Sequence, residues 1–327
     1  MPYEIRKAAV LGAGVMGAAI ATHLTNAGID CVLLDILPPE LTEEDRRKGW
    51  TEATPEWRNR FAAAGLAQAL KAKPAAFYTK KNAARIRTGN FEDHLAWLKE
   101  VDWVIEAVVE NLEIKRSLLS RIESHIKPTC IVSTNTSGLP VRDIVARVGS
   151  SLKSRFVCTH FFNPPRYMKL LEVIPCAETL PEVLDFMVKF CEDVLGKGVV
   201  VCKDVPNFIG NRIGVFDIAN AVHRMIEKDM TIEEVDAIVG KELGRPGTAL
   251  FGTVDLVGLD TAMHVMTHLY EAAKDDEMRD LYRPVDFLGA MVDRELLGNK
   301  TGCGFYRRSK NEKGEKVTYD QQHTQII

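Results

Sequence analysis

The sequence lacks a long apolar run of the kind that a membrane-spanning helix requires. None of its apolar stretches approaches the ~20 consecutive residues that cross a bilayer, so we expect no membrane segment. Charged residues precede an apolar stretch at the N-terminus, as in a signal peptide, but glycines interrupt that stretch after residue 11. We therefore interpret the N-terminal residues as part of the folded protein.

A large excess of charge of either sign is also absent. The chain of 327 residues has 42 Lys and Arg against 45 Asp and Glu, a formal net charge of −3. A dominant basic surface is thereby excluded, which argues against a general nucleic-acid-binding protein. Apolar residues make up 46% of the chain, enough for a buried core, and the length predicts two domains.

Cysteine pairs at the spacing of a redox or zinc site are missing. The seven cysteines are scattered, with no CxxC pair, and most of them lie in apolar runs. This usage is typical of a reduced, cytoplasmic chain, and we expect no metal site.

A glycine-rich turn stands near the N-terminus. Residues Lys7–Leu11 are predicted to form a buried strand, and a helix follows the motif GxGxxG formed by Gly12, Gly14 and Gly17. In such a turn the first glycine permits the bend, the second lets a pyrophosphate approach the backbone, and the third lets helix and strand pack closely. The free helix N-terminus adds N–H donors for phosphates.

Asp35 supports a dinucleotide at this turn, since the glycine motif alone also fits an ordinary turn. Asp35 ends the predicted second strand, 21 residues after Gly14, where a carboxylate binds the adenosine ribose. A carboxylate repels a 2′-phosphate, and no arginine follows closely. The pattern therefore favours NAD over NADP.

Strands and helices alternate up to about residue 202. The later predicted strands cover residues 103–106, 130–133, 155–159, 169–174 and 198–202. This alternation predicts a mainly parallel, Rossmann-like sheet domain of the α/β class, and the helical pattern from residue 208 predicts an all-α domain after it. The predicted boundaries are 1–204, 205–307, and a polar tail or truncated linker at 308–327.

His160 directly follows a predicted strand, at the sheet edge where ligands gather in parallel sheets. Glu172 lies 12 residues later between apolar residues, where an unpaired carboxylate is costly to bury. A His–Glu pair resolves that cost and supplies a base that takes a proton from a hydroxyl group. The spacing alone equally fits a core histidine and an edge glutamate.

Polar residues follow another predicted strand at the same edge. The sequence Asn135-Thr136-Ser137 can place amide and hydroxyl groups beside a cofactor, although an ordinary polar turn also explains it. Asn211 opens the first helix of the second domain, a position where asparagine is common without any catalytic role.

Together these segments resemble the L-3-hydroxyacyl-CoA dehydrogenase family. The resemblance runs from about residue 5 to residue 307 and is specific in the block from His160 to Glu172. It is carried by VLGAGVMGAAIA, VIEAVVENLEIK, STNTSGL, THFFNPPRYMKLLEVI, KDVPNFIGNRIG, DLVGLD and NKTGCGFY.

The resemblance implies NAD-dependent oxidation of an L-3-hydroxyacyl-CoA to the 3-ketoacyl-CoA, as in fatty-acid β-oxidation, by a homodimer. It implies that His160 is the general base and Glu172 its partner. It also implies that Ser137 binds the substrate 3-oxygen and that Asn211 positions the substrate. The cofactor-binding residues that it implies are Gly12, Gly14, Val15, Met16, Gly17, Asp35, Glu110, Lys115, Asn135, Asn163 and Lys300.

The chain departs from the family pattern in several places. Gly138 stands where many members have a second serine, Asn207 replaces a common glycine, and residues 38–75 are longer than usual. That last region meets CoA in the family, although its lysines also fit a solvated helix face. The lysines that could contact CoA phosphates are Lys71, Lys73 and Lys80.

Two other functions stay open at this point. The same residues could act on a small free 3-hydroxy acid, as in relatives of the family. A non-catalytic binding or structural protein is disfavoured by the intact site residues. Some family members carry this module fused to an enoyl-CoA hydratase. This chain could therefore be part of a longer, bifunctional chain, and a fused or associated hydratase is a candidate partner.

Overall fold

The computed structural model describes residues 3–310 and 316–320, with side chains up to residue 307. The chain folds into two compact units that divide between Val205 and Pro206. The first unit contains a large sheet, and the second is mainly helical.

An eight-stranded sheet organises the first unit. Its strands are β1 (Lys7–Leu11), β2 (Asp30–Asp35), β3 (Ile86–Asn90), β4 (Trp103–Glu106), β5 (Ile131–Thr134), β6 (Phe156–Phe161), β7 (Leu170–Pro175) and β8 (Gly198–Val201). Their spatial order is β3-β2-β1-β4-β5-β6-β7-β8, and only the β6–β7 pair is antiparallel. This confirms the predicted α/β class with a mainly parallel sheet.

The central strands are buried along almost their whole length. Every residue of β4 is buried, as are the last four of β1. Because successive side chains of a strand point to opposite faces, continuous burial means that both faces of the sheet are covered. The sequence therefore forms strands here without the polar–apolar alternation of a surface strand.

Helices connect the strands of the first unit. They are α1 (Val15–Asn26), α2 (Glu43–Arg47), α3 (Pro55–Arg58), α4 (Arg60–Lys71), α5 (Leu112–Ile122), α6 (Val141–Ile144), α7 (Ser150–Lys153) and α8 (Pro181–Asp193), with short 3₁₀ helices at Lys80–Arg85, Leu95–Glu100 and Val145–Arg147. Helix α1 packs against β1, β2 and α4.

The order of the strands locates a crevice. From β1 the chain adds β2 and then β3 on one side, and afterwards continues with β4 on the other side of β1. Parallel sheets bind ligands outside the carboxyl ends of the strands at such a reversal. A ligand is therefore expected beyond the ends of β1 and β4.

The second unit has its own apolar core around Val222, Phe251, Leu269 and Phe305. Its helices are α9 (Gly210–Glu227), α10 (Ile232–Ile238), α11 (Phe251–Val257), α12 (Leu259–Ala272) and α13 (Asp286–Asp293), with 3₁₀ helices at Lys241–Leu243 and Arg279–Tyr282. Among the described residues, no helix combines the length and apolar character that crossing a membrane demands.

Two strands at the end of the second unit correct the prediction that a tail without regular structure follows the helical domain. β9 (Tyr306–Lys310) and β10 (Lys316–Asp320) form an antiparallel pair. β9 has one large apolar residue, Tyr306, and the alternation in β10 covers only five residues, so the sequence signal for this pair is short. Residues 321–327 of the predicted tail lie outside the described residues.

Strand β3 was not predicted either, because its sequence IRTGN contains one large apolar residue. It forms through parallel pairing with β2. Gly89 lets the strand approach its surroundings closely, since a Cβ there would lie 2.8 Å from the ring of Trp97. The last residue of the strand, Asn90, is buried, and its side-chain amide donates hydrogen bonds to Asn59 and Asp93 at 2.7 and 2.8 Å.

Candidate active site

The turn after β1 brings backbone atoms together where side chains would not fit. A Cβ built on Gly12 would lie 2.5 Å from the carbonyl oxygen of Ala107, and one on Gly17 would lie 1.8 Å from that of Gly12. Around Gly14, no described residue beyond its chain neighbours has an atom within 4 Å of that position. The turn is thus closely packed at Gly12 and Gly17 and open at Gly14, as an approaching pyrophosphate requires.

Asp35 is held beside this turn by backbone hydrogen bonds. Oδ2 accepts a hydrogen bond from the N–H of Ala13 at 2.7 Å, and Oδ1 accepts one from the N–H of Ile36 at 2.7 Å. The carboxylate is half-buried, so its remaining acceptor capacity faces a ligand or water. The position suits the hydroxyl groups of a ribose.

A cavity of about 870 Å³ opens at the turn, within the size range of small-molecule sites. Eight residues that the sequence singled out line it: Gly12, Gly14, Val15, Met16, Asp35, Glu110, Asn135 and Ser137. Apolar side chains such as Ile36, Val109 and Ile114 supply much of the remaining wall. An open glycine backbone, a ribose acceptor and apolar walls together fit a bound NAD.

A buried ion-pair network lies next to this cavity. Nζ of Lys115 lies 2.8 and 3.1 Å from the two carboxylate oxygens of Glu106, and 3.2 Å from Glu110. The side chain of Lys115 is 1% exposed and that of Glu106 0%. The hydroxyl group of Thr134 also donates to Glu106. Lys115 and Glu106 therefore compensate each other inside the protein, and Glu110, with 37% of its side chain exposed, adds a second carboxylate at the edge.

The attraction between Lys115 and Glu110 keeps these two groups charged. Burial lowers the pKa of Lys115, but the attraction of Glu106 and Glu110 outweighs it, so the pKa of Lys115 is raised. Burial raises the pKa of Glu110, but Lys115 and the hydrogen bond from Thr136 outweigh it, so that pKa is lowered. Both groups are ionised at neutral pH.

Glu110 connects this network to the loop after β5. Its Oε1 accepts hydrogen bonds from the Thr136 hydroxyl group and from the N–H of Ser137 at 2.9 Å. Glu110 thus lies in the cavity wall, whereas Lys115 lies behind it and acts through its carboxylate. The sequence analysis did not identify Glu106, although a carboxylate ending the buried strand WVIE was a signal that it needed a cation.

His160 and Glu172 stand directly opposite one another in the antiparallel strands β6 and β7. Nδ1 of His160 lies 2.6 Å from Oε2 of Glu172. His160 is 4% exposed and Glu172 is 0% exposed. Residues directly opposite in an antiparallel pair present their side chains on the same face, which is how the 12-residue spacing becomes a contact.

Asn135 links the ends of β5 and β6. Its Oδ1 accepts a hydrogen bond from the N–H of Phe161 at 2.9 Å, next to His160 in the chain. The ring of Phe162 lies 4.5 Å from the imidazole of His160, centre to centre. Asn163 follows as an exposed residue of the loop between β6 and β7. Asn135 and His160 therefore lie at the same end of the sheet, and Asn163 lies in the loop that follows β6.

Asn211 and Lys300 belong to the second unit and are described within it. Asn211 is the second residue of α9 and lines a cavity of about 250 Å³ together with apolar side chains such as Val215 and Val265. Lys300 forms an ion pair with Asp260 at the start of α12. These two predicted residues are thus on a different unit from His160.

The first unit can combine two chemical roles. An imidazole whose Nδ1 is engaged by a buried carboxylate exchanges protons through Nε2. The neighbouring cavity fits a cofactor that takes a hydride. Oxidation of an alcohol needs both acts at once, since the proton leaves the oxygen while the hydride leaves the carbon.

The chain matches two domains of one enzyme family. Residues 7–205 match the NAD binding domain of 3-hydroxyacyl-CoA dehydrogenase, and residues 208–308 match its C-terminal domain. A probable 3-hydroxyacyl-CoA dehydrogenase of Bacillus subtilis is 47% identical over 308 residues, which cover 94% of this chain and 39% of that protein. A probable 3-hydroxyacyl-CoA dehydrogenase of Deinococcus radiodurans is 46% identical over 310 residues, covering 95% of this chain and 85% of that protein.

A solved structure supports the same relationship. The (S)-3-hydroxybutyryl-CoA dehydrogenase of Ralstonia eutropha superposes with a TM-score of 0.72 at 30% identity, covering 94% of this chain and 100% of that one. The present chain spans 39% of the length of the Bacillus subtilis relative and most of the length of the other two. The chain belongs to the 3-hydroxyacyl-CoA dehydrogenase family.

Proposed function

We propose that the chain oxidises an L-3-hydroxyacyl-CoA to the 3-ketoacyl-CoA with NAD, reversibly, as in fatty-acid β-oxidation. The observation that carries the proposal is the buried pair of His160 and Glu172, joined at 2.6 Å. Asn135, which lines the cavity that fits NAD, accepts a hydrogen bond from the N–H of Phe161, the residue after His160. Membership of the family and the name of the structural relative support the thioester substrate.

The chain's own residues would hold the cofactor in a defined direction. The open backbone at Gly14 and the N-terminus of α1 receive the pyrophosphate, and Asp35 accepts hydrogen bonds from the adenosine ribose. The family resemblance assigns Asn135 and Asn163 to the nicotinamide end, and it assigns Lys300 to the cofactor as a lysine presented by the second domain. When bound, NAD supplies the chemistry of hydride acceptance.

His160 takes the proton of the substrate hydroxyl group at Nε2 as the carbon–hydrogen bond breaks. Glu172 accepts a hydrogen bond from Nδ1–H, which selects the tautomer with a basic Nε2 and stabilises the imidazolium that forms. The buried carboxylate is already in place before the reaction. In the reverse direction the imidazolium returns its proton to the 3-oxygen.

Ser137 and Asn211 bind and position the substrate in this proposal. The N–H of Ser137 is held by Glu110, which sets the orientation of the loop from which its hydroxyl group reaches the 3-oxygen. Asn211 lies beside an apolar cavity of about 250 Å³, a suitable surrounding for the acyl chain. Lys71, Lys73 and Lys80 are the candidates for contacts to CoA phosphates.

The proposed assembly is a homodimer formed through the second unit. Large apolar side chains are exposed on α9 and α11 of this unit, with Ile213 63%, Leu256 62% and Val257 58% exposed. Such side chains are typical of a surface that a partner covers. Ile213→Glu should convert the dimer to a monomer in sedimentation experiments, whereas a monomeric wild-type protein would contradict the proposal.

The cellular setting and the fused partner are also proposals. The seven cysteines are unpaired and six of them are buried, which supports a reducing compartment such as the cytoplasm. The Bacillus subtilis relative extends well beyond the matched part. An enoyl-CoA hydratase, fused or associated, would supply the hydroxyacyl-CoA that this site consumes.

The decisive experiment compares two substrates. Purified protein is assayed for loss of NADH absorbance with acetoacetyl-CoA, and for NADH formation with NAD and free 3-hydroxybutyrate. The proposal expects turnover of the thioester that disappears in His160→Gln and persists in the control His125→Gln, a half-buried histidine of the same unit. Preferential use of the free acid would support the alternative substrate, and activity with neither would support a non-catalytic relative.

A further inference from the structure

The loop between β6 and β7, residues 162–169, connects the two halves of the His160–Glu172 pair. Because the strands pair in antiparallel register, the loop that joins them bears directly on how closely the two side chains approach. Phe162, its first residue, packs on the His160 imidazole at 4.5 Å, and Asn163 follows. Any group that fixes the position of this loop therefore influences the position of His160, the proposed catalytic base.

Lys197 extends beneath this loop from the turn between α8 and β8. Its Nζ donates a hydrogen bond to the carbonyl oxygen of Met168 at 2.9 Å and another to that of Pro165. The ring of Phe161 lies 5.6 Å from the same Nζ, a cation–π contact. Lys197 is only 7% exposed. One buried ammonium thus contacts both the strand that carries His160 and the far end of the loop.

The chemistry of this contact is unusual for a lysine. Its hydrogen-bond acceptors are neutral carbonyl groups, which compensate a buried charge less well than a carboxylate does. Burial lowers the pKa of Lys197 to about 8. Apolar packing alone would be served by methionine or leucine at this position, so the ammonium of Lys197 points to its hydrogen bonds as the useful feature.

The neighbouring titratable groups stay neutral around pH 7. His23 of α1 faces Lys197, and burial together with the charge of Lys197 lowers the pKa of His23 to about 4. Cys191 of α8 also faces it, and burial raises the pKa of that thiol to about 12. Lys197 is therefore the member of this group whose charge changes between pH 7 and 10.

We propose that Lys197 is a positioning residue for the reaction, because its ammonium holds the loop of residues 162–169 and thereby orients Phe162 and Asn163 around His160. This inference rests on the proposed function, since it concerns the same site. Charged donors form stronger hydrogen bonds than neutral ones. Loss of the charge weakens the contact to Pro165 and Met168, and the loop becomes less well placed.

The proposal predicts opposite pH effects on activity and on stability. In the direction of alcohol oxidation, loss of the Lys197 charge should lower kcat above pH ~8, because the loop is then less well placed. The folded state lowers the pKa of Lys197 from its usual ~10.4 to about 8. Between these two pH values the unfolded chain binds more protons than the folded chain, so the contribution of Lys197 to stability rises with pH there.

The test compares Lys197→Met and Lys197→Arg with the wild type and with a matched control, Lys127→Met. Lys127 pairs with Asp102, which caps the opposite ends of the strands through the N–H groups of Arg6 and Lys7. Lys197→Met should lower kcat about 10- to 100-fold, the effect of a misplaced catalytic group, and leave the Kd for NADH within twofold. Lys197→Arg, which stays charged, should restore most of kcat and remove the decline above pH ~8.

Hydrogen–deuterium exchange provides a readout that needs no turnover. At pH 7 the amides of Tyr167 and Met168, which donate to the carbonyl oxygen of Pro164 at 2.9 and 3.0 Å, should exchange faster in Lys197→Met. Exchange in α5 should not change, and Lys127→Met should leave the loop as in the wild type.

Several results would overturn the inference. Wild-type kcat and exchange in Lys197→Met would show that the ammonium does not hold the loop. An unchanged alkaline decline in Lys197→Arg would assign that decline to another group. If the wild type turns over no hydroxyacyl-CoA, the proposed function fails, while the exchange measurement still decides whether Lys197 holds the loop.

Discussion

Lys115 binds both carboxylate oxygens of Glu106, at 2.8 and 3.1 Å, while its ammonium also contacts Glu110 in the cavity wall. The pair joins the core strand β4 to the loop that carries Ser137, because Glu110 accepts hydrogen bonds from that loop. A change in the buried network should therefore affect folding stability and the site together.

Replacing Lys115 with methionine should lower the free energy of unfolding by about 3–5 kcal/mol, because it leaves two carboxylates without their cation. Chemical denaturation at pH 7 measures the loss. The matched control is Lys48→Met, which removes a lysine paired with Glu44 on the surface. It should cost less than about 1 kcal/mol. Equal losses in the two variants would contradict the buried network.

The pH dependence of stability should also change in Glu110→Gln. The pKa of Glu110 is lowered in the folded state, so its contribution is present above the usual ~4.3 and is lost as pH falls through the folded value. The pKa of Lys115 is raised, so its contribution is lost on the alkaline side, above ~10.4.

The difference in unfolding free energy between wild type and Glu110→Gln should accordingly be largest near neutral pH and shrink toward pH ~3. Denaturation curves at several pH values measure it. Glu40→Gln, at an exposed position, serves as the control and should show no such trend. A difference that grows on acidification would mean that Glu110 is not stabilised as a carboxylate.

Asp35 should select NAD over NADP. Asp35→Ala removes an acceptor for the ribose hydroxyl groups and the repulsion of a 2′-phosphate, so kcat/KM for NAD should fall about 10- to 100-fold and the preference should narrow. Steady-state kinetics with both cofactors measures the ratio. Asp30→Asn, at the other end of β2, is the control and should keep the wild-type ratio. Equal use of NADP by the wild type would refute the assignment.

His160 and Glu172 should act as one unit. His160→Gln should lower kcat by ~10²–10⁴, the usual worth of a general base. Glu172→Gln keeps the shape of the side chain but removes the charge that stabilises the imidazolium, so it should also lower kcat while NADH binding stays nearly unchanged. A double-mutant cycle on kcat with acetoacetyl-CoA and NADH measures their coupling.

The double variant should be little worse than His160→Gln alone, because both residues serve one proton transfer. Glu178→Gln, an exposed glutamate in the same part of the chain, provides the control for loss of a carboxylate. If the two losses multiply as independent effects, Glu172 is a structural carboxylate and not the partner of the base.

The local motifs could be recognised without the structure. The glycine turn, the strand before it and Asp35 follow from short-range rules of sterics and apolar periodicity, which act over a few residues. The mainly parallel sheet could also be predicted, because strand and helix patterns alternate along the sequence. Strand β3 was not predicted, since its residues carry little apolar pattern and it is stabilised by pairing with β2, which lies far away in the chain. The pair β9–β10 was not predicted either, because its polar sequence was interpreted as a tail.

Residue types in order, by themselves, determined that a βαβ unit with an open glycine turn begins this chain, that a second domain follows, and that a histidine and a glutamate stand 12 residues apart. Only the tertiary structure decided which buried charges meet. The register of β6 and β7 places His160 against Glu172. The packing of α5 against the sheet places Lys115 against Glu106 of β4. The reason is that burial makes an unpaired charge costly, and the partner that removes the cost is chosen by contacts between segments far apart in the chain.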